Sequence, residues 1–232
     1  MENWLRREEL LIGKSAIEKL QKAKVAIFGC GGVGSYAVEA LARAGVGNFV
    51  LIDNDIVDLT NINRQLIADV TTIGKDKVEI EKERILKINP NAKVEVFKEF
   101  YEEGKSEKLI SKSYTYIIDA IDSVKSKISL IESAHINGIP IISAMGMGNK
   151  IDPTKIEVAD ISKTEICPLA KCVRKALRQK GIMHTKVVYS KELPNRYDES
   201  EENKNTTASI SFMPSACGLI IASQVVREII SI

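Results

Sequence analysis

The chain has 232 residues, a net charge of +2, 44% hydrophobic residues and 28% charged residues. This length is enough for one large α/β domain with its own core, and the near-neutral charge excludes a protein whose overall field attracts polyanions. The first residues lack the apolar stretch of a signal peptide, and no apolar run approaches the roughly 20 residues of a membrane span. We therefore expect a cytoplasmic protein with no membrane association, in which the four irregularly spaced cysteines are free thiols.

Strands and helices are predicted to alternate as far as residue 144. Ser15 and Glu18 have the spacing of a capping box, which predicts a helix over residues 15–22. The elements predicted next are, in order, strand 24–29, helix 35–45, strand 48–55, helix 76–90, strand 93–97, strand 114–120, helix 123–138 and strand 139–144. Continuous apolar strands between amphipathic helices are typical of the α/β class, here a doubly wound, Rossmann-like and mainly parallel sheet.

The pattern changes after Gly148. The predicted elements there are strand 155–160, a basic helix over 167–181, strands 184–190 and 206–212, and an apolar helix over 215–230. A polar stretch over residues 193–205 is predicted to be a loop. We expect a single domain over 1–232, with a nucleotide-binding core at about 22–148 and a C-terminal extension at about 149–232.

Glycines follow the first apolar strand and precede a helix. Gly29, Gly31 and Gly34 have the spacing G-x-G-x-x-G, and Asp53 lies 19 residues after Gly34 at the end of the next strand. Such glycines let the backbone approach a phosphate at a helix N-terminus, and the acid accepts hydrogen bonds from a ribose. This pattern is equally compatible with binding of NAD and with binding of ATP.

The next polar stretch favours ATP. Asn61, Arg64 and Gln65 follow Asp53 closely, and Lys77 begins the next predicted helix. Adenylyl transfer builds charge on the α-phosphorus and on departing pyrophosphate, which fixed cations stabilise, whereas a nicotinamide needs apolar walls.

Two aspartates end the strand over 114–120. Asp119 and Asp122 lie at the carboxyl edge of the predicted sheet, where a carboxylate suits Mg²⁺ bound together with nucleotide phosphate. Because Asp119 is also placed to cap the following turn, Asp122 is the predicted metal ligand.

The motifs GCGGVGS, LIDND, TNINRQ, DKV and IDAIDS together resemble the ubiquitin-activating-enzyme-like superfamily of adenylating enzymes. The resemblance implies that a substrate carboxylate attacks the α-phosphorus of ATP–Mg²⁺, that pyrophosphate leaves, and that a nucleophile then displaces AMP. It implies catalytic roles for Arg64, Lys77 and Asp122, and a homodimer in which Arg7 reaches the partner's ATP. The implied nucleotide-binding residues are Gly29, Gly31, Gly32, Gly34, Asp53, Asp55, Asn61, Arg64, Gln65, Lys77, Asp122 and Arg7.

The region after residue 144 narrows the resemblance. Its sequence MGMGNKIDPTKIEVADISKTEICPLAKCVRKALRQKGI is similar to the tRNA threonylcarbamoyladenosine dehydratases, and the similarity covers nearly the whole chain apart from residues 195–206. This family adenylates the threonylcarbamoyl carboxylate on an anticodon-loop adenosine, and the neighbouring carbamoyl nitrogen then closes a ring. An intramolecular nucleophile needs no thioester cysteine, so Cys167 and Cys172, too few for a zinc site, are expected to be ordinary thiols. The resemblance leaves open a sulfur-transfer or redox protein partner.

The distribution of charge points independently to RNA. Between Lys163 and Lys191 there are eight basic residues and one acidic residue, which is the footprint of a phosphate-backbone partner. The residues predicted to contact tRNA are Lys171, Arg174, Lys175 and Arg178.

Three alternatives stay open at this point. The nearest is adenylation of the C-terminal carboxylate of a ubiquitin-like sulfur-carrier protein, although the two C-x-x-C zinc pairs common in those activators are missing. An NAD-dependent oxidoreductase leaves Arg64, Lys77 and Asp122 without roles. A catalytically silent binding module is expected to have lost an ATP-contacting residue, and none is lost here.

Overall fold

The computed structural model describes residues 4–104, 106–195 and 207–231. The helices are α1 Arg6–Ile12, α2 Lys14–Lys22, α3 Gly34–Arg43, α4 Lys77–Ile88, α5 Ser106–Leu109, α6 Val124–Asn137, α7 Pro168–Gln179 and α8 Phe212–Ile230. The strands are β1 Lys24–Phe28, β2 Asn48–Ile52, β3 Lys93–Phe97, β4 Tyr116–Asp119, β5 Ile141–Ala144, β6 Ile156–Asp160 and β7 Lys186–Ser190. Short 3₁₀ helices cover Leu59–Asn61, Pro153–Lys155 and Ile161–Lys163.

The strands form one sheet in the order β3-β2-β1-β4-β5-β7-β6. All neighbouring pairs are parallel except β6 and β7, which are antiparallel. The predicted doubly wound, mainly parallel α/β sheet is confirmed. Strands β6 and β7 extend this sheet, so the segment after residue 148 adds to the first core.

The central strands are buried because helices cover both faces of the sheet. Strands β4 and β5 are buried at every position, and β1 and β2 at all but the first. One hydrophobic cluster joins the sheet to α2, α3, α4 and α8, and a second joins it to α6 and α7. This two-sided burial explains why the strands read as continuous apolar runs.

Helix α8 is long and apolar enough to cross a membrane, judged by length and composition alone, with a mean hydropathy of 1.3. The prediction that no apolar run approaches this length was therefore wrong. In the structure α8 packs chiefly on α3, and Met213, Cys217, Ile221 and Val225 are fully buried in the core. A core helix of a folded domain meets the same criteria, and this packing accounts for its apolar sequence.

Three local features differ from the predictions. Helix α1 was not predicted. Helix α2 begins after Gly13, and no side chain caps it, so the capping box at Ser15 was wrong. The strand predicted over 206–212 is absent from its described part: Asn149 N–H donates to Ala208 O, Ala208 N–H donates to the Asn149 side chain, and α8 begins at Phe212. These residues lie at the rim of a cleft and not in the sheet, so an extended, β-prone sequence finds no neighbouring strand.

Candidate active site

A cleft of about 690 Å³ opens at the carboxyl ends of the central parallel strands. Its walls include the loop after β1, residues 53–55 after β2, residues 120–122 after β4, residues 144–150 from the end of β5 onwards and the start of α7. Open α/β sheets bind ligands at this edge, and the volume is in the range of small-molecule sites. The topology therefore brings separate sequence motifs into one site.

The loop after β1 requires glycine at two positions. Gly29 has φ +93°, and a Cβ there would lie 2.6 Å from Ala120 O. A Cβ on Gly34 would lie 1.8 Å from Gly29 O. Gly29, Gly31 and Gly32 line the cleft, whereas Gly34 is buried at the first position of α3 and does not. The predicted phosphate contact is thus available to the first three, and Gly34 keeps the loop tight.

Asp53 joins the end of β2 to the glycine loop. Its carboxylate accepts hydrogen bonds from Cys30 N–H at 2.6 Å and from Asp55 N–H at 2.8 Å. Burial raises the pKa of Asp53, and these two backbone hydrogen bonds oppose the increase. Asp53 lines the cleft, and each of its oxygens keeps lone pairs for the predicted ribose hydroxyls.

Lys77 lies at the start of α4 and is nearly fully buried. Its Nζ forms an ion pair with Asp55 Oδ2 at 2.7 Å. Both residues line the cleft, as predicted for nucleotide-binding residues. The pair fixes an ammonium at the cleft wall before any phosphate is present.

The polar segment after β2 is held by its own hydrogen bonds. Asp58 and Asn61 cap the 3₁₀ helix reciprocally, with Asp58 N–H donating to Asn61 Oδ1 at 3.1 Å. Arg64 Nη1 donates to Thr60 O and to Asn63 Oδ1, both at 2.9 Å. These contacts orient the guanidinium at the cleft and leave its other N–H groups for a ligand.

Gln65 has a buried amide oxygen that faces no hydrogen-bond donor within the described part of the chain. Its Oε1 atom is buried and has no hydrogen-bond partner among the described residues, although Gln65 lines the cleft. A buried amide oxygen without a partner costs about 1–3 kcal/mol. A polar ligand in the cleft would satisfy it.

The two aspartates after β4 have different roles. Asp119 is fully buried and forms an ion pair with the equally buried Lys127 at 2.7 Å, while Ser143 Oγ donates to the same oxygen. Its other oxygen accepts Ile121 N–H at 3.1 Å, so Asp119 caps the turn as predicted. Asp122 is exposed and lines the cleft. One carboxylate beside nucleotide phosphates is a donor set that fits Mg²⁺.

Glu81 lies on α4 near the loop and was not predicted as a special residue. Its carboxyl group is fully buried, and neither oxygen has a hydrogen-bond partner among the described residues. Burial raises the pKa of Glu81 well above that of an exposed glutamate, and the negative charges of Glu39 and Asp53 raise it further, against the opposing effect of Arg84. The acid is therefore neutral over a range in which an exposed glutamate is charged.

We expect Glu81→Gln to remove the part of the pH dependence of the free energy of unfolding that comes from Glu81, and so to gain stability relative to wild type as pH rises. The folded pKa lies above the unfolded one, so the stability from Glu81 is complete below the unfolded pKa and is lost as pH rises through the folded pKa. Glutamine keeps the shape without this loss. Urea denaturation from pH 4 to 8 measures it, with exposed Glu83→Gln as the control; parallel profiles for Glu81→Gln and wild type would contradict it.

The eight basic residues between Lys163 and Lys191, called here the basic strip, are less available to a partner than the sequence indicates. Lys171, Lys175 and Arg178 are exposed on α7, but Arg174 Nη1 donates to Thr164 O at 2.7 Å. Three more cations of the strip form ion pairs outside it, namely Lys180 with Glu132, Lys186 with Glu228 and Lys191 with Glu157. Among the described residues of this stretch, the exposed cations without an ion pair are therefore Lys163, Lys171, Lys175 and Arg178, none of which lines the cleft.

Several cleft residues were not predicted. Lys150, only 3% exposed, lines the cleft after β5, and Cys167 lines it at the N-cap of α7. The rule that ligands bind at the carboxyl ends of strands, applied to the end of β5, would have pointed to Lys150. The four cysteines are free thiols, and burial raises the pKa of Cys30 and Cys217. Arg7 is exposed on α1 and does not line the cleft.

The site combines a glycine loop at a helix N-terminus with two cations and an amide oxygen to which no described residue donates, all at one edge of the sheet. These features are those of a nucleotide-binding α/β protein of the adenylating class. The chain belongs to the ThiF family, whose family model matches residues 5–232. It is 44% identical over 237 aligned residues to the tRNA threonylcarbamoyladenosine dehydratase of Bacillus subtilis, covering 97% of this chain and 93% of that protein.

Solved structures agree with this placement. The crystal structure of Escherichia coli tRNA N6-threonylcarbamoyladenosine dehydratase in complex with AMP matches with a TM-score of 0.91 and 35% identity, covering 100% of this chain and 96% of that chain. The complex of the same protein with ATP matches with a TM-score of 0.91, 34% identity and the same coverage.

Proposed function

We propose that this protein is an ATP-dependent enzyme that adenylates the threonylcarbamoyl carboxylate of a modified adenosine in the tRNA anticodon loop and promotes its cyclisation. The observation that carries this proposal is the convergence of Gly31, Arg64, Gln65 and Lys77 on one cleft. The similar E. coli protein, whose structures contain AMP and ATP, supports ATP as the nucleotide.

The geometry favours the first half-reaction for an electrostatic reason. The glycine loop presents backbone N–H groups at the N-terminus of α3, where the helix dipole favours phosphate. Arg64 and Lys77 supply fixed positive charge to the cleft wall, and preorganised charge stabilises the transition state in which pyrophosphate departs. The substrate carboxylate oxygen forms a bond to the α-phosphorus as the bond to pyrophosphate breaks.

The second half-reaction needs little from the protein beyond orientation. The carbamoyl nitrogen attacks the activated carbonyl, loses its proton, and AMP leaves with the former carboxylate oxygen. Because nucleophile and electrophile belong to the same substituent, proximity supplies much of the rate, and no cysteine thioester is required. The net change in the nucleoside is the loss of one water.

Asp122 is proposed to hold Mg²⁺ together with the nucleotide phosphates. The ion would neutralise phosphate charge when bound. Asp122 forms no hydrogen bond or ion pair within the described part of the chain that binding of a metal would disrupt.

We expect Asp122→Ala to lower AMP formation by at least about 100-fold while the melting temperature stays within error of wild type, because this exposed carboxylate serves a ligand and not the core. Activity measured against Mg²⁺ concentration, with the exposed Lys125→Ala as a control on the neighbouring turn of α6, checks this. Loss of folding in Asp122→Ala, or full activity, would contradict the role.

The experiment that tests the proposed function compares AMP release with tRNA that carries threonylcarbamoyladenosine and with the same tRNA lacking it. Release that depends on the modified nucleoside supports the proposal. Release that depends instead on a small ubiquitin-like protein would replace it with activation of a sulfur carrier.

The macromolecular contacts are also proposals. Lys171, Lys175 and Arg178 are placed to contact the RNA backbone.

A homodimer in which Arg7 reaches the partner's ATP is supported by Leu10 and Leu11 on the same helix, which are 71% and 84% exposed. A monomer in light scattering at micromolar concentration would contradict the dimer. We also propose a cytoplasmic location, and we leave open a sulfur-transfer or redox protein partner.

A further inference from the structure

Lys150 is a buried lysine that lines the cleft and has no role in the nucleotide site proposed above. Its Nζ donates to Gly146 O at 3.0 Å and to Ser190 O at 3.2 Å, so it joins the segment after β5 to the end of β7. An ammonium has three N–H donors, and these contacts account for two. One donor of Lys150 therefore remains at the cleft wall.

No carboxylate of the described residues forms an ion pair with Lys150. The nearby Glu192 instead accepts the backbone N–H groups of Ile151 and Asp152 at 2.8–3.1 Å. Burial lowers the pKa of Lys150, while Cys167, Glu192 and Cys217, the groups that face it, oppose this change. A buried charge without a counter-ion is costly, and an anion in the cleft would compensate it.

The N-terminus of α7 adds a second positive element beside Lys150. A Cβ on Gly146 would lie 3.7 Å from Cys167 Sγ and 3.8 Å from Leu169 Cβ, so α7 begins directly against the residue whose carbonyl binds Lys150. No side chain caps this 12-residue helix. Pro168 has no N–H group, and Cys167 N–H donates to Glu165 O, so the N–H groups of Leu169 and Ala170 and the helix dipole are what favours negative charge here. Cys167, Pro168 and Leu169 all line the cleft.

We propose that Lys150 and the N-terminus of α7 form a second anion-binding subsite, on the β5–β7 side of the cleft, which holds an anionic oxygen of the RNA substrate. The inference rests on the proposed function. The glycine loop, Arg64 and Lys77 serve the nucleotide at the ends of β1 and β2, so a cation after β5 is free for the other reactant. The oxygen belongs either to the threonylcarbamoyl carboxylate or to a neighbouring backbone phosphate.

The test uses Lys150→Met, which removes the charge and the donors, and Lys150→Gln, which keeps donors for the two carbonyls. Lys155→Met removes an exposed lysine five residues further on and is the matched control. We expect both Lys150 variants to bind the modified anticodon stem-loop at least about tenfold more weakly, because charge-assisted hydrogen bonds are strong ones. Their affinity for ATP should equal that of wild type and of the control.

The two sources of the anion give different results with the unmodified stem-loop. If Lys150 binds the carboxylate, affinity falls only for the modified RNA. If it binds a phosphate, affinity falls equally for both RNAs. The slope of the logarithm of affinity against the logarithm of salt concentration then falls in magnitude by about one. Unchanged RNA affinity in a folded Lys150 variant overturns the inference. Failure of the proposed function would show in the wild-type protein instead, as absence of AMP release with the modified RNA.

Discussion

Replacing Arg64 with alanine is expected to lower the rate of AMP formation by about 100- to 1000-fold at saturating substrates. Arg64 is oriented in the cleft by Thr60 O and Asn63 Oδ1, so its charge needs no reorganisation as negative charge develops on the departing pyrophosphate. Arg64→Lys keeps the charge but loses the planar fork, and we expect it to recover only part of the rate. ATP–pyrophosphate exchange measures this step directly.

The control for Arg64 is Arg43→Ala, which removes an arginine at the end of α3 whose side chain is 61% exposed and paired with Glu39. It should leave the exchange rate unchanged. If Arg64→Ala lowered only the affinity for ATP and left the maximal rate intact, Arg64 would bind the ground state and transition state equally, and its proposed catalytic role would be wrong.

The largest effect on stability is expected from Lys127→Met, which should lower the free energy of unfolding by about 3–5 kcal/mol. Lys127 and Asp119 are both fully buried, so loss of the ammonium leaves a carboxylate without a counter-ion in the core. The double variant Asp119→Asn/Lys127→Met removes both charges and keeps an oxygen that can accept Ile121 N–H. We expect it to recover at least half of the loss.

Urea denaturation of the single and double variants measures the coupling between these residues. The control is Lys24→Met, which breaks a surface ion pair with Glu95 and should cost no more than about 1 kcal/mol. Equal stability of the single and double variants would contradict the account. Because Asp119 holds the turn that leads to Asp122, we also expect Lys127→Met to need a higher Mg²⁺ concentration for activity.

The mainly parallel sheet and the glycine loop beside it could be predicted from the sequence, because both depend on local patterns. Strands buried on two faces are continuous apolar runs, and a glycine loop between a strand and a helix has a fixed spacing. Asp53 and Asp122 lie within three residues of the ends of such strands, Arg64 lies twelve residues after β2, and all three line the cleft. The parallel order of the strands then brings them together.

Features that depend on non-consecutive strands could not be predicted in this way. Lys150 donates to Gly146, which follows β5, and to Ser190, which ends β7 and lies 40 residues later in the sequence. These contacts could be foreseen only by knowing that β5 and β7 are neighbours in the sheet. The buried pair of Lys127 and Asp119 likewise requires knowing that α6 packs its first turns on β4 and β5. In residues 207–211, residue preferences indicated a strand, but the sheet offers no free edge there.

ATP cleavage in this cleft is proposed to drive ring closure on a tRNA nucleoside. The most direct measurement is the mass of the nucleoside released by gentle digestion after purified protein, ATP, Mg²⁺ and tRNA carrying threonylcarbamoyladenosine are incubated together. We expect a nucleoside lighter by one water and formed in proportion to AMP. A nucleoside of unchanged mass, under conditions in which the protein binds ATP, would contradict it.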